Sequence, residues 1–151
     1  MRASTKYATA VQICIFLKHM PDQVLSSTTI AKSVNTNPVV IRRLIQELRN
    51  HGIIASSSGT KGGFFLAKDA SEISLWDIYL ATRDEEFFKR PKVNPECVVS
   101  SNLKGLVHDV FSEAEVAMKS KLEQTNIAGL NTKLLNILGQ NEGKEAIRQG
   151  R

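Results

Sequence analysis

Arg42, Arg43, Gln46 and Arg49 recur at spacings of three, four and seven, so one side of a single helix would carry all four. A guanidinium is a planar, permanently charged fork whose donors match a phosphate or the O6/N7 edge of guanine. A second group lies at Ser58-Gly59-Thr60-Lys61-Gly62-Gly63, where an amine sits in a loop whose glycines permit close approach to another chain. That loop is too short for a nucleotide-binding phosphate loop. The third chemically active group is a thiol, Cys97. Asn94-Pro95-Glu96-Cys97 reads as a cap, a first helical residue and a first turn, where unpaired amides favour reactivity and Glu96 acts against it. Its two readings are a redox or electrophile sensor and an ordinary cysteine partly buried at an interface between copies.

Other chemistry is missing from the pattern. There is no paired-carboxylate motif and no nucleophile–base set, so no enzyme is expected. Cys14 and Cys97 are the only cysteines and lie far apart, with neither a CxxC nor a Cys/His cluster, so neither a structural zinc nor a disulfide framework is indicated.

The elements that would position these residues can be read from caps and periodicity. Asn37-Pro38 is a helix start, and Gly52 stops that helix. Ile41, Leu44, Ile45 and Leu48 form its buried stripe. Before it, a shorter helix from about Thr28 to Val34, capped by Ser26 or Ser27, leads into a polar turn at Asn35-Thr36-Asn37. After it, two short apolar runs, Ile53 to Ala55 and Phe64 to Ala67, make a hairpin. Helix, turn, helix, hairpin is the order of a winged helix, whose partner is double-stranded DNA. Residues at the start of the second helix, which carries Val39, Val40, Arg42 and Arg43 off its buried stripe, would meet base edges in the major groove. The two valines can offer only apolar contact, for instance to thymine methyls.

A first helix is expected over about Ala3 to Met20, its apolar face formed by Tyr7, Ala10, Val11, Cys14 and Leu17, with Cys14 a buried, inert thiol. Ser71 to Thr82 reads as a helix capped by Ser74, with Trp76 in a packing role. Residues 83–95 read as connection. A long helix follows, from about Pro95 to Gln124, with Val99, Leu103, Leu106, Val110, Ala114, Ala117 or Met118, and Leu122 in one seam. That seam is about 35 Å long, more than a small domain can cover, so a homodimer is expected. Leu130 to Leu138 reads as a last short helix. The expected fold is thus mainly α with a small β-hairpin. Residues 1–82 form a winged helix-turn-helix domain, 83–140 the connection, long dimerisation helix and final helix, and 141–151 a flexible tail.

Charge is unevenly placed. Residues 1–68 hold nine Lys or Arg against two acids, a net +7, while residues 69–151 carry −2, so the excess sits with the candidate DNA reader. No apolar run approaches the length that spans a bilayer. No secretory signal is legible, and a cytoplasmic, nucleoid-associated location is expected.

These residues resemble the Rrf2 family of bacterial winged-helix regulators, which includes IscR, NsrR and CymR, and most of all its plain YwnA-like type. The resemblance runs through Tyr7-Ala8, Ile30-Ala31-Lys32, Leu44 through Leu48, Gly52-Ile53-Ile54 and Ser58 through Ala67. It continues through Ile73 to Ile78, Pro95 to Val99 and Thr125 to Leu130. It implies a homodimer with crossed long helices, a reader helix whose Asn37, Val39, Val40, Arg42 and Arg43 enter the major groove, a wing in the minor groove and Arg49 near the phosphates. Many members carry Arg where this chain has Ser58; Lys61 is the available substitute, as a point charge without the planar fork. Iron–sulfur members present several cysteines close together around the start of the long helix. Here only Cys97 stands there, so no cofactor and no metal are expected. The resemblance implies a transcriptional regulator of the repressor type on a (pseudo)palindromic operator, with room for a small-molecule or protein effector. The alternatives are a protein-interaction module that senses metabolism by binding a partner enzyme, and a thiol-based sensor acting through Cys97.

Overall fold

The computed structural model describes residues 3–84, 88 and 92–149. Of the connection expected over 83–95, residues 85–87 and 89–91 lie outside the described residues, as do 150 and 151 at the end of the expected tail.

Helix α1 spans Ala3–His19, α2 Ser27–Ser33 and α3 Pro38–Asn50. Strands β1 (Ile54–Ser57) and β2 (Gly63–Leu66) follow, then a short 3-10 turn at Ala70–Glu72. Helix α4 spans Leu75–Thr82, α5 Val98–Glu123 and α6 Ile127–Gln149.

The start and stop signals act where the sequence places them. The Ser26 hydroxyl accepts from the Thr29 amide at 3.1 Å and caps α2. The chain leaves α2 through Asn35 in the left-handed region (φ 50), with the Thr36 amide reaching back to the Ala31 carbonyl at 2.9 Å. Gly52 (φ 66) ends α3 in the same way, with the Ile53 amide donating to the Leu48 carbonyl at 3.0 Å. Ser74 and Asp77 form a reciprocal capping box on α4.

β1 and β2 pair antiparallel, Ile54 opposite Leu66 and Ser57 opposite Gly63. Leu25, between α1 and α2, exchanges two backbone hydrogen bonds with Phe64, at 2.9 and 3.2 Å, which gives the hairpin a third short edge. The core beneath is aliphatic: Ile13, Ile30, Ile41, Ile45, Leu48, Ile53, Ile73 and Ile78 are fully buried, with Ala10, Cys14 and Leu17 from α1 beside them.

The last helix departs from its expected span of Leu130 to Leu138. It begins at Ile127, and its backbone stays helical through Gln149, across most of the segment expected to be a tail. Its first turn belongs to the core: Ile127 is fully buried, and α6 packs against α1. The chain is fastened there by backbone bonds. The Leu75 amide donates to the Thr125 carbonyl at 2.8 Å, and the Ile127 amide donates to the Ile73 carbonyl at 2.9 Å. α5 is therefore an excursion whose return end is bonded to the start of α4. No residue of α5 is buried. Leu103, Val107, Phe111, Met118 and Leu122 are half-buried, while Val99, Leu106 and Val110 are 66, 68 and 65% exposed. The seam expected from the sequence thus splits between two neighbouring faces of α5.

Candidate nucleic-acid interface

Helix α3 is fixed by its cap and its buried stripe. The Asn37 carboxamide oxygen accepts from the Val39 amide at 2.8 Å, and Pro38 occupies the first helical position. Ile41, Leu44, Ile45 and Leu48 are buried, so the helix can rotate no further without exposing them. That rotation presents Asn37, Val39, Arg42, Arg43, Gln46 and Arg49 to solvent, with Val40 half-buried at the edge. Part of this face is ordered by its own hydrogen bonds. The Gln46 amide donates to the Asn50 side-chain oxygen at 2.9 Å, and Arg49 donates to Gln46 at 3.4 Å. Arg42 reaches the Ser27 hydroxyl, at the start of α2, at 3.4 Å. Sequence reading missed Asn50 and Ser27. The four-residue spacing of Gln46 and Asn50 was available as a signal; the approach of Ser27 was not.

At the tip of the hairpin Ser58 and Lys61 are exposed. Gly62 has a turn-closing role: its amide donates to the Gly59 carbonyl at 2.9 Å, and a Cβ there would lie 2.5 Å from the Ser57 carbonyl oxygen. Its N–H is thus already engaged within the loop. Gly59 (φ 106) supplies the backbone conformation that a side chain resists.

An ionic cluster flanks the reader face, and no local pattern in the chain announces it. The Lys6 ammonium in α1 lies 2.9 Å from Glu47 Oε2 in α3 and 2.7 Å from Asp84 Oδ1, just past α4. Glu47 Oε2 is buried and makes no hydrogen bond of good geometry, so the Lys6 charge is its compensation among the described residues. Burial pulls the Lys6 ammonium down, but the hydrogen bond to Asp84 and the charges of Glu47 and Asp84 together outweigh it and leave the group above its ordinary value. Asp84 is held below the usual carboxylate range, first by the hydrogen bond from Lys6 and then by its charge, with Arg43 contributing in smaller part.

The two cysteines have opposite surroundings. Cys14 is fully buried, and desolvation pushes its thiol up to about 12. Cys97 is exposed and immediately precedes α5 as its N-cap, with no side-chain capping bond. The expectation of a thiol inside the first turn is corrected by one position, because residues 94–97 close a turn of their own (Cys97 amide to Asn94 carbonyl, 3.2 Å) before the helix begins. A shallow apolar trough between α1 and α6 is lined by Ala8, Val11, Ile15, Phe16 and Leu134, with Gln12 and His19 as its polar members. No helix among the described residues is long and apolar enough to cross a membrane.

A family model named Rrf2, described as an iron-dependent transcriptional regulator, matches residues 3–133. The chain is 36% identical over 120 residues to YwnA of Bacillus subtilis, named as an HTH-type transcriptional regulator, covering 78% of this chain and 90% of that protein. A crystal structure described as a DNA-binding protein superposes with a TM-score of 0.67 at 33% identity, covering 83% of this chain and 97% of that one. CymR of B. subtilis, described as the global cysteine regulator, shares the fold at a TM-score of 0.66 and 23% identity, over 88% of this chain and 98% of that one. The iron in the family's description finds no matching donors here. Among the described residues no three His, Cys, Asp or Glu side chains gather where they could hold a metal ion. Cys14 is sealed in the core, and His108 stands eleven residues after Cys97, about 16 Å along α5 at helical rise. The described residues of one chain do not fit an iron centre.

Proposed function

The chain belongs to the Rrf2 family of transcriptional regulators, which are not enzymes, and from that premise we propose that it is a repressor that binds a (pseudo)palindromic operator as a homodimer in the bacterial cytoplasm. The observation that carries the DNA contact is α3 itself: one face is locked into the core while Arg42, Arg43, Gln46 and Arg49 stand on the other. In the proposed complex the start of α3 enters the major groove, and Lys61 with Ser58 follows the adjoining backbone. Arg49 and Lys61 neutralise phosphates. Asn37, Val39, Val40, Arg42 and Arg43 meet base edges, and Gly62 lets the wing turn close to the duplex.

The homodimer is supported by α5, a helix of 26 residues with none buried and with Val99, Leu106 and Val110 left open to solvent. A twofold pair of such helices would cover that surface and set two readers about one helical turn of DNA apart.

The test is selection of bound fragments from genomic DNA by the purified chain, followed by affinity measurement on the enriched duplex. Enrichment of a site with twofold symmetry is the expected result. Binding that is uniform across sequences, or unchanged in both Arg42→Ala and Arg43→Ala, would reject α3 as the reader.

A further inference from the structure

We propose that Lys6 is a positioning residue for DNA binding: by engaging Glu47 and Asp84 together, it keeps the two carboxylates beside the reader face from capturing Arg43. The inference rests on α3 being the reader.

Glu47 is one of two acids in residues 1–68, and it lies in the helix that carries Arg42, Arg43 and Arg49. A carboxylate at that place opposes phosphate binding unless another charge answers it. Glu47 stands one turn after Arg43, and side chains four apart on a helix are neighbours within reach of an ion pair. Asp84 lies just past the end of α4, and the Arg43 charge contributes in small part to holding its carboxyl low. Both acids are nevertheless turned to Lys6, at 2.9 and 2.7 Å, and Arg43 makes no ion pair among the described residues. The Lys6 side chain is 14% exposed, against 26% for Glu47 and 66% for Asp84, so it is the most covered member of the cluster. Replacing it would leave a buried carboxylate oxygen without compensation, and the nearest cation on its own helix is Arg43.

The experiment is a double-mutant cycle between Lys6 and Arg43, read as affinity for a fluorescent duplex carrying the site enriched in the selection above. Arg43→Ala and Lys6→Met should each weaken binding by about tenfold, and Lys6→Met added to Arg43→Ala should weaken it little further. Thermal stability, followed in parallel, should fall with Lys6→Met in both backgrounds. Restoring neutrality with Glu47→Gln and Asp84→Asn in the Lys6→Met chain should return affinity to within about threefold of the parent. Equal losses from Lys6→Met with and without Arg43, or no recovery in the neutralised chain, would overturn the proposal. Should Lys6→Met fail to fold, the Glu47→Gln/Asp84→Asn chain with Lys6 intact decides: binding at least as tight as the parent supports the proposal, and a tenfold loss overturns it. If the parent enriches no duplex, the DNA-binding reading itself has failed; if it does while the cycle shows no coupling, only the role of Lys6 has.

Discussion

Arg42 and Arg43 are adjacent in the chain and differently held: Arg42 leans on Ser27, while Arg43 is kept clear by the Lys6 cluster. Neither arrangement was legible in the sequence, because the partners lie 15 to 78 positions away and nothing local encodes them. The glycines of the wing are different, since their role follows from the loop itself. A Cβ on Gly63 would sit 2.7 Å from the Leu25 carbonyl oxygen, where backbone would have to move. Gly63→Ala should therefore cost about 1–3 kcal/mol, seen as a lower urea midpoint at unchanged slope. The buried thiol and the half-buried phenol make a second prediction. Cys14 is pushed from 9.0 to about 12, by desolvation, and Tyr7 from 10.0 to about 12, by desolvation and then the charge of Tyr79. Both folded values lie above the unfolded ones, so the stabilisation is complete below about pH 9 and is lost as pH rises towards 12. Urea midpoints should fall steadily across that range. Cys14→Ala, although less stable throughout, should show a shallower fall, and parallel curves would contradict the assignment.

At the scale of elements, capping chemistry was the most legible part of the chain. Asn37-Pro38, Ser26 and Ser74 start their helices where short-range rules place them, because each cap is satisfied by amides two or three residues on. Asn37→Ala should cost about 1 kcal/mol, and because it loosens the first turn of α3 it should also weaken binding to the enriched duplex; stability lost with affinity intact would separate the cap from the reader. The ends of α5 and α6 were less legible. Residues 94–97 carry the composition of a first helical turn and instead form a separate turn, and α6 starts early because Ile127 fills the core. Periodicity within 127–149 is weak, so its length could not be read from an apolar stripe. Ellman's reagent should titrate one thiol per native chain, Cys97, and a second only on unfolding; two fast thiols would mean that Cys14 is not sealed.

For the whole molecule, the winged-helix order and the uneven charge were plain in the sequence, whereas the return of 125–127 onto 73–75 was not, being a pairing between segments with no shared motif. The exposed stretch of α5 makes the largest-scale prediction. Leu106→Glu with Val110→Glu should halve the mass seen by sedimentation and lower affinity for a two-half-site duplex by about a hundredfold, while the folded chain keeps its helical signal. A variant that stays dimeric would place the twofold contact elsewhere. In the parent, log affinity should fall linearly with log salt, by roughly 0.9 for each phosphate neutralised.

The backbone bonds joining Leu75 to Thr125 and Ile73 to Ile127 bear on how a signal could travel. They weld the base of the long rod to the block that carries the reader, leaving no swivel at that joint. Torque applied to the rod would turn the block as one piece, and the angle between paired readers would follow the angle between paired rods.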